Sequence, residues 1–265
     1  MTARMSPQHF RLFFTALAAA LEDDADARRL IRMITRDPVL SARVLRLANV
    51  ATNAPLREVT TIDQAVVRLG TRAVRRAVLS ICFASWGQPG EMHAAIWRRH
   101  VEHGIGTGCL ARHVAVRAGR DPDEAFVQGL LHDIGKLFLM KLEPEFVRLG
   151  GAPPTSAEVA EVIADQHAEV GALAMQLWGL PGLVRDVVRW HHDPISADEH
   201  PKAAAVIYIA NRLSHRYGFG CDATPEPELA EDAIFLRLTL DAAWLALADR
   251  QAEQLYESAS QAITA

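Results

Sequence analysis

The chain has 265 residues, of which 50% are hydrophobic and 23% are charged, and its formal net charge is −4. These values fit one large or two small globular domains, and they exclude a strongly basic protein whose field would attract nucleic acid or acidic lipid. Cys82, Cys109 and Cys221 form no CxxC pair, which argues against a disulfide framework or a zinc knuckle. We therefore expect a cytoplasmic protein with a sizeable core.

An apolar run near the N-terminus, Leu12 to Leu21, has two interpretations. It could pass for the core of a secretion signal. However, Ser6-Pro7 is typical of a helix start, and the run is too short to span a bilayer. We therefore predict an amphipathic core helix and no membrane partner. Its apolar face consists of Phe10, Phe13, Phe14, Leu17 and Leu21.

The spacing of apolar residues is helical almost throughout, and no segment is a convincing strand, so the sequence predicts an all-α fold. Three breaks, at residues 86–90, 150–154 and 218–227, interrupt the helical pattern, and the first and third divide the chain. They define an N-terminal helical subdomain (1–86), a helical core (91–215) and a C-terminal helical tail (222–265). Helices are predicted to begin near Ser6, Asp24, Pro38, Thr61, Thr71, Glu91, Asp121, Thr155, Ala168, Pro181, Pro201, Glu226 and Leu238.

Three glycines alternate within one helical segment, at Gly104, Gly106 and Gly108. A dinucleotide-binding loop would need a preceding strand and a different glycine spacing. We therefore interpret them as small residues that let a second helix pack closely.

Histidine is concentrated in the second segment. Residues 1–86 contain one histidine, whereas residues 91–215 contain ten. Since histidine is the commonest metal ligand and acid–base group, any chemistry is expected in the second segment.

The sharpest local motif is the pair His132-Asp133, which follows an apolar helical run. An isolated pair of this kind is more often a structural cap or a hydrogen-bonded core residue than a ligand. Here His167 and the pair His191-His192 also lie at the ends of apolar helices. Five candidate ligands from three segments would be enough for a divalent metal site, and a binuclear one would clamp a phosphoryl group.

The run His132-Asp133-Ile134-Gly135-Lys136 matches the signature of the HD metal-dependent phosphohydrolases, and the motifs around it resemble the HDOD family. That resemblance runs from about residue 20 to 215. It implies a compact multi-helix, HD-like bundle with a smaller N-terminal helical part, and a role in bacterial regulation. The similar segments are 37–41, 45–49, 61–65, 69–70, 97, 129–133, 167–171, 178–181, 191–192 and 210–212.

The departures from active HD enzymes are as informative as the matches. By the resemblance, an upstream histidine ligand is replaced by Arg99 and a late aspartate by Asn211, while His103 lies one helical turn from the expected position. No Gly-Tyr-Pro follows His191-His192, which removes the main support for a cyclic-di-GMP hydrolase. We hypothesise that Arg99 pairs with Asp133 in a metal-free remnant of the site; the alternative is that Arg99 lies on a solvated face.

The basic residues Arg68, Arg72, Arg75 and Arg76 recur at helical spacing. Such a patch can contact phosphates, but no aromatic interleaving accompanies it. We interpret it as a solvated helix face and do not expect nucleic acid as a partner.

Three functions follow from these patterns. The resemblance favours a non-catalytic signalling output domain that contacts signalling proteins. The alternative is a metal-dependent phosphohydrolase acting on a nucleotide or phosphoester. In that enzyme His132, Asp133, His167, His191 and His192 would bind Fe, Mn, Mg or Zn, and Lys136 would contact phosphate. A sensor that binds a nucleotide or anion without cleaving it is a third hypothesis. The sequence leaves the partner, the substrate and the oligomeric state open.

Overall fold

The computed structural model describes residues 27–35, 38–50, 59–84, 94–149, 151–152, 154–178, 180–226, 228–251 and 254. Within these ranges the regular elements are helical and no strand occurs, so the predicted all-α class is confirmed. None of the helices in this part of the chain is both long and apolar enough to cross a bilayer. The helices predicted to begin near Ser6, Asp24 and Glu91 start outside the described residues.

The chain divides into two compact units between residues 88 and 89. The described part of the first unit contains α1 (Ala27–Thr35), α2 (Pro38–Val50), α3 (Ile62–Leu69) and α4 (Thr71–Ala84). The second contains α5 (Ala94–Ala118), α6 (Pro122–Leu131), α7 (Ile134–Arg148), α8 (Ser156–Leu177), α9 (Gly182–Trp190), α10 (Pro201–Arg216), a short 3-10 turn (Leu229–Glu231) and α11 (Ala233–Arg237).

A side-chain amide organises the first unit. Asn49 Oδ1 accepts from the backbone N–H of Val59 at 2.8 Å, and Asn49 Nδ2 donates back to the Val59 carbonyl at 2.9 Å. The start of α3 is fixed by a capping box. The Thr61 hydroxyl accepts from the Gln64 backbone N–H, and the Gln64 side-chain oxygen accepts from the Thr61 backbone N–H. The predicted helix start at Thr61 therefore has a local physical cause.

Local capping also sets two helix starts in the second unit. Asp121 accepts from the backbone N–H groups of Asp123 and Glu124, with Pro122 at the first helical position. Thr155 and Glu158 form a second capping box at the start of α8. Within this unit, α5 packs against α6 and α10, and α8 packs against α7 and α9.

Two of the three alternating glycines of α5, Gly106 and Gly108, let neighbouring elements approach closely. A Cβ atom on Gly106 would lie 2.5 Å from the Phe219 ring, and one on Gly108 would lie 2.9 Å from the Phe126 carbonyl oxygen. Both distances are shorter than real carbon contacts, so only glycine fits without a shift. The close packing of α6 and of the segment after α10 against α5 therefore depends on these two glycines.

One detail differs from the sequence-based expectations. Helix α8 is continuous from Ser156 to Leu177, so no new helix begins near Ala168, because no proline interrupts this stretch and Gly171 is accommodated inside the helix. The described part of the 222–265 tail packs on the second unit. Its apolar side chains join the core formed by α5, α9 and α10: Leu229, Phe235, Leu238, Leu240 and Leu245.

Candidate metal centre

The turn between α6 and α7 carries His132 and Asp133 into the interior of the second unit. His132 is fully buried, and Asp133 is 4% exposed. A Cβ atom on Gly135 would lie 1.8 Å from the backbone oxygen of His167, so the glycine lets the first turn of α7 touch α8. This close approach is what places the His-Asp pair beside His167.

Two histidines lie beside one oxygen of the Asp133 carboxylate, and a third histidine lies next to one of them. His167 Nε2 lies 3.4 Å from Asp133 Oδ1, and His191 Nε2 lies 3.5 Å from it. His167 Nε2 is also 3.4 Å from His191 Nε2 and 3.0 Å from His192 Nε2. These four donor atoms, one each from Asp133, His167, His191 and His192, all lie within 4.8 Å of one another. We call them the four-donor set.

The orientation of the buried rings is fixed from behind. In each of three rings, Nδ1 faces a backbone carbonyl, which can only accept, so Nδ1 carries the proton and a neutral ring presents Nε2 as a lone pair. This backing is common in metal-ligating histidines. The contacts are His132 to Gly129 at 2.7 Å, His167 to Ile163 at 2.7 Å and His191 to Val188 at 2.8 Å.

Two atoms of the cluster have no hydrogen-bond partner among the described residues, His132 Nε2 and Asp133 Oδ1. The histidine nitrogens near Asp133 Oδ1 are close enough to count as ion-pair contacts, but their approach does not make hydrogen bonds to it. We interpret them as neighbours rather than partners, since a deprotonated Nε2 has no hydrogen to give. Buried, unpaired polar atoms are costly, so the orphaned Asp133 Oδ1 of the four-donor set fits a cation, whereas the orphaned His132 Nε2 lies on the Oδ2 side of the same carboxylate.

The electrostatics of the cluster favour neutral histidines and an ionised carboxylate. Burial lowers the pKa of His132 and of His167. Burial and the neighbouring His191 lower the pKa of His192 to about 3. Burial raises the pKa of Asp133, but the adjacent His132 and Lys136 outweigh it and hold that pKa well below its ordinary value. Neutral imidazole and carboxylate are the states that bind metal.

The second oxygen of the carboxylate has a different environment. Lys136 Nζ lies 2.7 Å from Asp133 Oδ2, whereas His132 Nε2 and His103 Nε2 lie 3.4 and 3.7 Å from it. His103 Nε2 is in turn 2.9 Å from Asn211 Oδ1. On this side the negative charge is already matched by an ammonium, and a neutral amide stands where the resemblance expects an aspartate.

The hypothesis that Arg99 pairs with Asp133 is wrong. The Arg99 side chain is 51% exposed, and its Nη2 lies 3.2 Å from Asp222 Oδ1. Its Nε donates to the Gly220 carbonyl at 3.2 Å. Arg99 stands one helical turn before His103 and reaches the loop after α10, which it fastens to α5.

His103, and not Arg99, occupies the cluster, and this residue was misplaced by sequence reasoning. It is 3% exposed, and its ring centroid is 5.2 Å from that of His132. Its Nδ1 faces the Phe219 carbonyl at 3.1 Å. The neighbouring glycines were the available signal, because they mark the stretch of α5 that is most closely packed. His103 also belongs to a further group of donors with His215 and Cys221.

A cavity of about 470 Å³ opens beside the four-donor set. The cavity wall includes Lys136 and His100. It also includes two members of the four-donor set, His167 and His192. Burial lowers the pKa of His100 to about 4. We call this cavity the groove. A ligand in the groove therefore contacts two members of the four-donor set, His167 and His192.

The all-helical second unit, with a buried His-Asp turn facing further histidines, defines an HD-like domain. The model of the HDOD domain family matches residues 7–194, so the chain belongs to that family. A solved HDOD protein of unknown function from Geobacter sulfurreducens is 20% identical, with a TM-score of 0.72 over 95% of this chain and 91% of that one. This likeness shows the shared fold.

Two further proteins are similar. A solved structure from Shewanella amazonensis SB2B, whose name assigns it provisionally to the phosphohydrolases, is 26% identical, with a TM-score of 0.68 over 99% of both chains. An uncharacterized protein of Treponema pallidum (strain Nichols) is 24% identical over 198 residues, which are 71% of this chain. The match spans only 38% of that relative's length.

Proposed function

We propose that the chain is a regulatory domain of bacterial signal transduction, that it acts through contacts with partner proteins without hydrolysing phosphoesters, and that its four-donor set holds one divalent metal ion. Membership of the HDOD family supports the regulatory part. The observation that carries the remainder is the asymmetry of Asp133. Oδ1 faces histidine lone pairs, whereas Oδ2 already faces the Lys136 ammonium.

Three imidazoles and one carboxylate suit Zn²⁺ or Fe²⁺ better than Mg²⁺, which prefers oxygen ligands and water. The residues that would hold the ion are Asp133, His167, His191 and His192. A bound divalent ion supplies positive charge and Lewis acidity beside the groove. The backbone carbonyls behind the rings keep the Nε2 atoms aimed inward, so the chain's own contribution is a preorganised set of donors.

Two-metal hydrolases hold their ions roughly 3.5–4 Å apart, with both ions clamping the phosphoryl group. On the Oδ2 side of Asp133 the side chain next to His103 is the neutral amide of Asn211, and the described residues supply no second carboxylate to the donors there. It also carries a fixed positive charge from Lys136, which opposes a second cation. Among the described residues, a second ion on this side would have only His103, His132 and the shared Asp133 as ligands and would face the Lys136 ammonium, and this supports a non-catalytic role.

Elemental analysis tests this proposal. The full chain, purified without chelator, is offered Zn, Fe, Mn and Mg in turn, and we expect about one metal ion per chain. Asp133→Ala and His167→Ala should lose it, whereas His113→Ala, which changes a histidine packed near Trp244, should keep it. An empty chain, or one that holds two ions, would overturn the proposed site.

A metal-dependent phosphohydrolase remains the second candidate. The groove favours it, because Lys136 and His192 line a space large enough for a phosphoester beside the four-donor set. The name of the Shewanella relative points the same way. Metal-dependent turnover of nucleotides or of bis(p-nitrophenyl) phosphate, lost in His132→Ala without unfolding, would establish this function and overturn the non-catalytic part of the proposal.

A further inference from the structure

The groove runs along one face of α8. Ser156, Val159, Ala160, Ile163, Ala164 and His167 all line it. These positions recur every three or four residues, which is the spacing of a single helical face. Eleven residues separate Ser156 from His167, so this wall is roughly 16 Å long. The groove is therefore an elongated channel with the metal-competent cluster at one end.

Polar and apolar side chains are segregated along that length. At the cluster end the wall carries Lys136 of α7 and His100 of α5. One helical turn farther from the cluster, the same two helices contribute Met140 and Ile96. His167 and His192 also lie at the cluster end, the wall along the middle of α8 is aliphatic, and away from the cluster Ser156 is the one polar side chain among the described residues of the lining.

The charge at the polar end depends on the metal. Without an ion, the Lys136 ammonium is balanced by the Asp133 carboxylate at 2.7 Å. With one divalent ion the same groups carry a net charge of about +2 by simple addition. A negatively charged head group is then attracted to this end, where two members of the four-donor set are exposed to the groove.

We propose that the groove binds an amphipathic anion, consisting of a carboxylate or phosphate head and an unbranched hydrocarbon body. The inference rests on the proposed metal site. The head lies between Lys136 and the metal, and the body lies along the aliphatic face of α8 towards Ser156. A pocket of about 470 Å³ is within the usual size range for small-molecule sites.

The same lining argues against a nucleotide. A ribose and a base carry many hydrogen-bonding groups, and each one buried without a partner costs free energy. Away from the cluster, the groove offers them one serine hydroxyl and otherwise aliphatic walls. A hydrocarbon body leaves no such groups unpaired and gains from burial.

Calorimetric titration of the zinc-loaded full chain tests the inference, with decanoate and decyl phosphate as probes. Three controls are titrated in the same way. Decanol lacks the anionic head, inorganic phosphate lacks the hydrocarbon body, and AMP represents nucleotides. We expect decanoate or decyl phosphate to bind at least about tenfold more tightly than decanol, phosphate or AMP. The stronger of the two indicates whether the head is a carboxylate or a phosphate. Equal affinity for decanol, or tighter binding of AMP, would overturn the proposal.

Two matched substitutions on α8 locate the binding site without changing a metal ligand. Ala160→Phe fills the middle of the groove, whereas Val162→Phe adds a ring at a position that is 49% exposed and outside the lining. Ala160→Phe should weaken decanoate binding about tenfold or more, and Val162→Phe should leave it unchanged. Both should keep the parent metal content and melting temperature.

Metal analysis of the same samples separates the two hypotheses. A chain that takes up no metal contradicts the proposed function itself. A chain that holds one ion but binds neither decanoate nor decyl phosphate contradicts the ligand class alone. Decanoate binding that is equally tight after chelator treatment would also overturn the inference, since the head would then not depend on the metal.

Discussion

The Lys136 ammonium lies 2.7 Å from Asp133 Oδ2, while the other oxygen of the same carboxylate has no hydrogen-bond partner among the described residues. One carboxylate thus separates two environments. One side is compensated by a side-chain cation, and the other faces histidine lone pairs. This division gives the candidate site its expected stoichiometry of one ion.

The stoichiometry can be changed by restoring the second side. Asn211→Asp combined with Lys136→Met places a carboxylate beside His103 and removes the opposing cation. We expect the metal content to rise from about one ion to two, because His103, His132, Asp133 Oδ2 and the new carboxylate then form a donor set of their own. Elemental analysis measures the change. Lys136→Met alone is the control, and an unchanged value of one in the double variant would contradict the argument.

His100 contributes to the pH dependence of the metal-free protein, alongside the cluster histidines whose pKa values burial also lowers. Burial lowers its pKa from 6.5 to about 4. Between these two pH values, His100 is largely protonated in the unfolded chain and neutral in the folded chain. The sign is therefore fixed: this contribution to stability is complete above pH 6.5 and is lost as the pH falls towards 4. Its size is at most ~3 kcal/mol, before allowance for the partial exposure of the ring.

Urea unfolding of chelator-treated protein between pH 7.5 and 4.5 measures this effect. The matched variant is His100→Gln, which stays neutral throughout and should have a shallower dependence of unfolding free energy on pH. Identical slopes for the two proteins would show that His100 does not carry the effect.

The contact between α7 and α8 depends on a missing side chain. Gly135→Ala would place a Cβ atom 1.8 Å from the His167 carbonyl oxygen, which is backbone and moves only with its helix. We expect a loss of ~3 kcal/mol or more in unfolding free energy and a lower metal content, because overpacking displaces His167 from Asp133.

Gly182→Ala is the control for that substitution. The nearest atom to its added Cβ is the end of the Arg185 side chain at 3.9 Å, so it should change stability by no more than ~0.5 kcal/mol. Thermal and urea unfolding give both values. Similar losses in the two variants would remove the steric explanation.

Arg99 should contribute little to stability and nothing to metal binding. Its contacts, to Asp222 and to the Gly220 carbonyl, lie on the surface, where an ion pair is worth ~1 kcal/mol or less. Arg99→Met should therefore lower the unfolding free energy by about that amount and leave the metal content unchanged. Loss of metal in this variant would contradict the placement of Arg99 outside the metal site.

Sequence reasoning succeeded where the cause is local. The starts of α3, α6 and α8 follow from Thr61, Asp121 and Thr155, each of which caps its own helix within three residues. The close packing at Gly106 and Gly108 was likewise predictable, since small residues inside a helix leave room for a neighbour. Periodicity alone was sufficient for the all-helical class.

It failed where the answer depends on distant parts of the chain. His103 enters the cluster because Phe219 and Asn211, more than 100 residues later, supply its ring contacts. Arg99 is drawn away by a loop equally remote in sequence. A helical wheel gives the face on which a residue lies, but it does not show which loop packs against that face. The sequence therefore placed Arg99 in the cluster, whereas His103, one helical turn later, occupies it.

The shared carboxylate also makes the two sides of the cluster thermodynamically linked. A ligand that draws Lys136 away from Asp133 Oδ2 leaves more negative charge for the histidine side, and so tightens the hold on a cation there. Linkage is reciprocal, so a cation bound beside Oδ1 increases the affinity for that ligand at Lys136 by the same factor. A single buried side chain thereby gives this domain the means to report one binding event at another.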